Sequence, residues 1–473
     1  MNRSDSDAAV PDRPVRRFGP AGCLHAFALV RPAEALSVAL LFCYALVLLV
    51  CYYLLKTLRE PLLLAEGSAE IKSYAQAVIA LVLLVLVPLY AAAFKRVERA
   101  RLVRGITVLF IGNLLLFAFL GEAGVDIAFA YYVWVGVFGV VILAQFWAHA
   151  ADAFDVESGE RVFPAIVVGA TLGGLVGPLA FRVLYPAVGI RALMLICAGL
   201  LVVTLPLVGW SRRAVPADSR RGGAVDVRTS PARSVGARSG FALVLADPYL
   251  RLLALLVVLL NCVNSTGEYL LAEVIVARAD EQVAIDAAAD RGALIAGFYA
   301  SFFFVVNALA VAAQLLLVGR LFGWIGVQGA VLVAPVIALV GYGLAAFLPV
   351  FTLLRILKTF ENSVDYSVTN TARHALYLPL PPEERYAGKT AIDAFFWRFG
   401  DLLQAGMVYF GVNALDFGLR EFACVNAALA VVWIGVALGL ARGYARCTAP
   451  AAARHALVSS SHSSTPASTI ATR

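Results

Sequence analysis

Stretches of about twenty residues with few or no charges recur from one end of this chain to the other, each long enough to cross bilayer hydrocarbon as a helix. No soluble fold can absorb them all. A single core stops growing at roughly 250–300 residues, yet 61% of these 473 residues are hydrophobic, only 15% are charged, and the mean hydropathy is +0.84. Lipid must cover the excess. Spans are expected near 36–55, 73–94, 103–120, 128–149, 163–184, 192–210, 250–276, 293–318, 324–348, 350–371, 389–412 and 419–441. The runs are continuous rather than alternating, which argues against a β-barrel.

The formal charge of +7 follows topology and gives no support to nucleic-acid binding. Arg3, Arg13, Arg16 and Arg17 precede the first span, Lys95, Arg96, Arg99, Arg101 and Arg104 follow the second, and Arg212, Arg213, Arg220, Arg221, Arg228, Arg233 and Arg238 follow the sixth. Arg442 and Arg446 follow the last. With an even number of spans all these segments share one face, and the excess of arginine assigns that face and both termini to the cytoplasm. Arg16-Arg17-Phe18 reads as part of a basic tail rather than a twin-arginine signal, because Arg31 breaks the apolar stretch behind it. The seven cysteines show no CxxC spacing and read as small apolar fillers or isolated thiols.

Residues 211–240 are rich in Arg, Ser, Gly and Ala, with six expected spans on either side. The chain therefore divides into a cytoplasmic tail (1–35), a six-helix half (36–210), a cytoplasmic linker (211–249), a second six-helix half (250–445) and a disordered tail (446–473). Glu160-Arg161 and Glu384-Arg385 stand just before the fifth span of each half, an echo that favours a parallel two-fold repeat of the major-facilitator kind. The expected fold class is all-α, a polytopic bundle of twelve helices in two six-helix halves. Gly169, Gly173 and Gly177 in the fifth span permit close helix packing, and Pro178 bends the helix.

Charges within a span cost several kcal/mol unless they face partners or water, so they mark functional candidates. In the tenth span, Arg355, Lys358, Glu361, Asn362, Asp365 and Thr369 fall on one arc. They line a cavity or, with Lys358 and Glu361 at i,i+3, form a self-neutralising network. Asn261, Asn264, Ser265 and Glu268 form a similar arc in the seventh. In the eleventh, Lys389, Asp393 and Gln404 share a face, with Arg398 able to reach Asp401. Lys56-Thr-Leu-Arg59-Glu60 stands at the outer end of the first span, where such a cluster by default marks the membrane interface.

Enzyme motifs are scarce. Ala387-Gly388-Lys389-Thr390 imitates the end of a P-loop, but Glu383 stands where the first glycine is needed. Gly341-Tyr-Gly343-Leu-Ala-Ala346 imitates a dinucleotide fingerprint without the preceding strand. No enzyme activity, cofactor or metal is expected.

Leu55-Lys56-Thr-Leu-Arg59-Glu60 with Gly67-Ser-Ala-Glu70, Phe146-Trp147 with Ala150-Ala-Asp152 and Phe163-Pro164, and above all Tyr377-Leu-Pro379-Leu380 with Gly388-Lys389-Thr-Ala-Ile392-Asp393 and Arg398-Phe-Gly400 resemble the nucleotide translocases of intracellular bacterial parasites and plastids, the ATP/ADP antiporters. The resemblance spans about residues 56–411 and implies twelve membrane helices related to the major facilitators. It implies roles in nucleotide exchange for Lys56, Glu268 and Lys389. Val135 and Gly136 stand where the family has a fourth-helix glutamate, Ala272 near a family lysine, and Asp401 at another.

The expected function is secondary transport of a nucleotide or related anionic metabolite by exchange, through alternating access, in a bacterial inner membrane. A proton-coupled carrier of another organic anion and a non-transporting scaffold are the alternatives. The expected substrate-binding residues are Lys56, Glu268, Lys358, Asp365, Lys389, Asp393 and Arg398, and the expected partners are a small anionic solute, with ATP and ADP as candidates, and the bilayer.

Overall fold

The computed structural model describes residues 30–96, 99–216 and 237–462, which are almost entirely helical and contain no strand. Eight continuous helical stretches are long and apolar enough to cross a membrane. Two of them are pairs of crossings. The stretch Val156–Ala214 turns at Gly189 (φ 74°), and the stretch ending at Phe347 turns at Gly326 (φ 66°). Both lie in the left-handed region that favours glycine. Two further helices complete the bundle although their charges keep them off that count.

The twelve membrane helices among the described residues are α1 (Ala35–Leu64), α2 (Ala69–Arg96), α3 (Arg99–Glu122), α4 (Ala128–Ala153), α5 (156–188), α6 (190–214), α7 (Pro248–Ile285), α8 (291–325), α9 (327–347), α10 (351–375), α11 (382–415) and α12 (Leu419–His462). A short helix, Ala237–Ala246, precedes α7. Single π-helical turns interrupt α8 at Gln314–Val318, α10 at Asp365–Thr369 and α11 at Ile392–Phe396. The expected linker at 211–249 is therefore helical at both ends, with residues 217–236 outside the described residues. Helix α12 continues to His462, past the expected start of the tail at 446, and residues 1–29 and 463–473 are likewise outside.

Aspartates cap several helices. Asp155, Asp247 and Asp290 accept the backbone N–H of Ser158, Leu250 and Gly292 at the starts of α5, α7 and α8.

The bundle has two cores. One joins buried side chains of α1–α6 and borrows Ala296 and Ala300 of α8, while the other joins α7–α12 and borrows Leu64 and Ala69. The six-plus-six division is thus a division of packing. Within the first half α1 runs along α5, where a Cβ on Gly169, Gly173 or Gly177 would stand 2.6, 2.6 or 2.5 Å from α1 atoms. The halves meet where α1 and α5 touch α8, and where α2 touches α7 and α11.

Candidate functional site

The helix order puts the ends of α1, α7 and α9, and the starts of α2, α8 and α10, on the face away from the Ala237–Ala246 helix. Near this far face lies a chain of buried charges contributed by both halves. Lys72 of α2 is 2% exposed, and its ammonium lies 3.0 Å from Glu60 Oε2 of α1 and 3.1 Å from Glu268 Oε2 of α7. It also donates to Tyr299 Oη of α8. Glu268 accepts from Asn362 Nδ2 at 2.8 Å and lies 3.6 Å from the ammonium of Lys358 on α10. Lys358 is fully buried, pairs with Glu361 at 3.1 Å, and donates to the backbone and side-chain oxygens of Asn264. Tyr342 of α9 donates to Glu361 at 2.5 Å. At the other end Arg59 pairs with Glu60 at 3.0 Å and lies over the ring of Tyr132.

Arg59, Glu60, Lys72, Glu268, Lys358 and Glu361 alternate in sign and sum to zero. Alternation explains how six charges persist in the bundle, since an isolated buried ion costs several kcal/mol and flanking opposite charges and donors offset much of that cost. The chain crosses the interface between the halves at the contact of Lys72 with Glu268.

A second feature lies deeper, near the middle of α1, α4 and α11. Here a cleft of about 250 Å³ opens between the halves, lined by Tyr52, Arg59, Gln76, Gly136, Gly139, Arg398 and Asp401 among others. Asp401 accepts from Asn261 Nδ2 at 2.8 Å and Ser265 Oγ at 3.4 Å, both on α7, and lies 3.4 Å from Arg398 Nη1. Asn261 also donates to the backbone oxygen of Trp397. Gln404 donates to Ser73 and ties α11 to α2.

Lys56 stands apart from both. Its ammonium lies 4.7 Å from the ring centre of Phe303, 5.5 Å from Tyr53 and 5.8 Å from Tyr366, with Tyr366 Oη 3.4 Å away. Among the described residues no carboxylate pairs with it. Cation–π contacts substitute for a counter-ion at this point. Beside Tyr366, the half-buried Asp365 opens the π-turn of α10, and its carboxylate makes no hydrogen bond or ion pair among the described residues.

The expected site residues are therefore not one cluster. Glu268 and Lys358 meet in the buried chain, where Lys358 pairs rather than lining a cavity. Arg398 lines the cleft, and Lys56 and Asp365 flank Tyr366. Lys389 and Asp393 lie elsewhere, toward the opposite end of the bundle: Asp393 is 3.9 Å from Arg373, and Lys389 lies 6.0 Å from the ring centre of Tyr377. Helical phase places them on the face of Gln404 but not at its depth. Eight residues separate Asp393 from Asp401, about 12 Å of helix.

Sequence reasoning passes over Lys72 and reads Glu60, with Arg59, as part of an interfacial cluster. Glu60 and Lys72 fall just outside the apolar runs 36–55 and 73–94, whereas α1 and α2 extend over Ala35–Leu64 and Ala69–Arg96. Glu60 is 1% exposed, so its carboxylate lies inside the bundle rather than at a solvated interface. Ala272 and Val135 are fully buried apolar residues.

Solved transporters share this architecture. The nucleoside transporter NupG superposes with a TM-score of 0.58 at 12% identity, over 87% of this chain and 99% of its own. A bacterial homologue of the human lysosomal transporter Spinster, described as inward-facing and unoccupied, gives 0.55 at 14% over 88% and 99%. The human organic anion transporter MFSD10 gives 0.53 at 14% over 86% and 100%. At these identities the likeness establishes the fold alone. No curated protein matches the chain. The model of the TLC ATP/ADP transporter family matches residues 128–444, from the start of α4 into α12. The chain is a secondary membrane transporter, and it belongs to the TLC ATP/ADP transporter family.

Proposed function

We propose that the protein exchanges an anionic metabolite, a nucleotide or a relative of one, across a bacterial inner membrane by alternating access. The excess of arginine on the side of the termini and of residues 211–240 supports a cytoplasmic location for that face. The observation that carries the reading is the link from Lys72 to Glu268, a buried pairing between halves that stands to one side of a charged cleft. Such a link closes one route to the cleft and parts when the halves rock to open that side. A scaffold needs neither the cleft nor a reversible charge bridge.

Arg398 offers positive charge to the substrate in the cleft, and Lys56, outside it, offers a second cation along the solute's path. Glu268, held between two lysines, supplies the counter-charge that keeps the empty bundle stable. Lys389 and Asp393 stand at the cytoplasmic approach, where they contact the solute on its way in or out.

The test is counterflow. The purified protein in liposomes should take up a labelled anion from a panel of nucleotides and organic anions faster when the lumen holds the same unlabelled compound. Uptake indifferent to the internal solute would defeat exchange. The carboxylate of Asp365, which makes no hydrogen bond or ion pair among the described residues, favours a proton-coupled carrier as second reading, which uptake driven by an imposed pH gradient alone would support.

A further inference from the structure

We infer that the cleft between α1, α2, α4 and α11 is the substrate site, and that it takes a compact oxyanion bearing a hydrogen-bond donor rather than a nucleoside triphosphate. This narrows the anion-transport reading and rests on it.

The cleft offers unspent hydrogen-bonding capacity from both halves. Arg59 commits one donor to Glu60, and Arg398 makes a long 3.4 Å contact with Asp401, so each guanidinium retains most of its five N–H donors. Among the described residues neither makes another hydrogen bond, and the amide of Gln76 makes none. Asp401 Oδ1 is occupied by Asn261 and Ser265, which leaves Oδ2 with Arg398 alone and open to a donor from the ligand. Guanidinium forks from α1 and α11 match the geometry of a carboxylate or phosphate. An anion held by both would pull the two halves together.

Size and charge set the upper limit. The volume of about 250 Å³ falls below the roughly 300–1,000 Å³ of pockets that hold drug-sized ligands. The wall cannot retreat freely, because the Tyr52 ring packs where a Cβ of Gly139 would stand, 2.4 Å away, and Ile79 does the same at Gly136. Two arginines already shared with Glu60 and Asp401 cannot offset a triphosphate, whose unpaired charges are costly in a dry site. A phosphate monoester or hydroxycarboxylate brings one or two charges and a hydroxyl for Asp401.

Ligand-induced thermal stabilisation and transport measured with one set of probes test the inference: glycerol phosphate, a hydroxycarboxylate, AMP and ATP. The expected result is that a compact probe stabilises the purified protein and exchanges at concentrations at least ten-fold below those needed for ATP. Comparing the phosphate and carboxylate arms identifies the headgroup. Val140 of α4 lines the cleft, and Val140→Trp, which fills it, should abolish binding while elution and ligand-free melting stay unchanged. Arg398→Gln should weaken binding at least ten-fold, with partial recovery in Arg398→Lys. Preferred binding of ATP, or native affinity in folded Val140→Trp protein, would overturn the site and its class. If the compact probes fail while another anion is exchanged, the site is wrong and the anion-transport reading survives. If no anion of any size moves, both fall.

Discussion

At the scale of single residues, Lys72 shows what one buried ammonium does for its neighbours. It separates Glu60 from Glu268, two buried carboxylates on different halves of the bundle. Lys72→Met leaves both facing an apolar chain, and breaking a buried pair in this way typically costs about 3–5 kcal/mol. The expected result is a clear fall in melting temperature. Adding Glu60→Leu should recover part of it, since Glu268 keeps Lys358 and Asn362. A double variant no more stable than Lys72→Met alone would show that Glu60 draws nothing from Lys72. Asp401 places a carboxylate beside Arg398 in the cleft. Asp401→Asn keeps an acceptor for Asn261 but removes a negative charge from the cleft. Competition assays in liposomes should then show relative affinity shifting several-fold toward more highly charged anions, and an unchanged selectivity would count against Asp401 as the discriminating group. How far such roles can be read from sequence depends on hydropathy contrast. Glu268, Lys358 and Glu361 stand out because each interrupts an apolar run, and these three side chains meet inside the bundle. Glu60 and Lys72 sit where a run fades into a loop, and there a buried charge looks like an interfacial one. Depth is the second blind spot: a shared helical face grouped Lys389 with Gln404, although they lie at different levels of α11.

At the scale of elements, a proline in one half is answered by an asparagine in the other. Pro178 has no N–H, so the carbonyl of Gly174, four residues earlier in α5, has no intrahelical donor. Asn307 of α8 donates to that carbonyl at 2.7 Å and accepts from Tyr53 of α1 at 3.2 Å. Three helices from two halves thus meet on one amide. The glycine spacing of α5 was legible as a packing motif, and the close approach to α1 bears it out. The recipient of the freed carbonyl was not legible, because no local pattern connects positions 174 and 307. Asn307→Leu orphans both the Gly174 carbonyl and the Tyr53 hydroxyl, a loss of about 1–3 kcal/mol for each polar group left buried without a partner. Pro178→Ala in that background restores an N–H to α5 and should regain part of the stability in a denaturation series. No recovery would place the strain elsewhere. The π-turns of α8, α10 and α11 are similarly invisible to period-3.6 reasoning, since each inserts a residue that shifts the face of everything after it.

At the scale of the whole molecule, twelve crossings and the division into halves follow from hydropathy and a single polar linker. Which face of the bundle is closed depends on contacts between residues far apart in sequence. On the far face α1 and α8 meet end to end. Arg291 at the start of α8 donates to the carbonyl of Ala65 at 2.6 Å and pairs with Asp280 at 2.8 Å. Together with the link from Lys72 to Glu268 this forms two successive ties between the halves on one side of the cleft. Alternating access requires both to part in each cycle, and the geometry offers a direct way to prevent it. A Cβ on Gly292 would stand 3.6 Å from Cβ of Ala65, within the roughly 3.5–4.5 Å spanned by a disulfide. Ala65→Cys with Gly292→Cys, in protein whose Cys23, Cys43, Cys424 and Cys447 are serine, should therefore form a bridge on mild oxidation. Exchange in liposomes should then fall to the level of protein-free controls and return on reduction, while each single variant transports in both conditions. A bridged protein that exchanges at its reduced rate would mean the far face never opens between α1 and α8, and solute would have to leave by a route that does not separate the halves there.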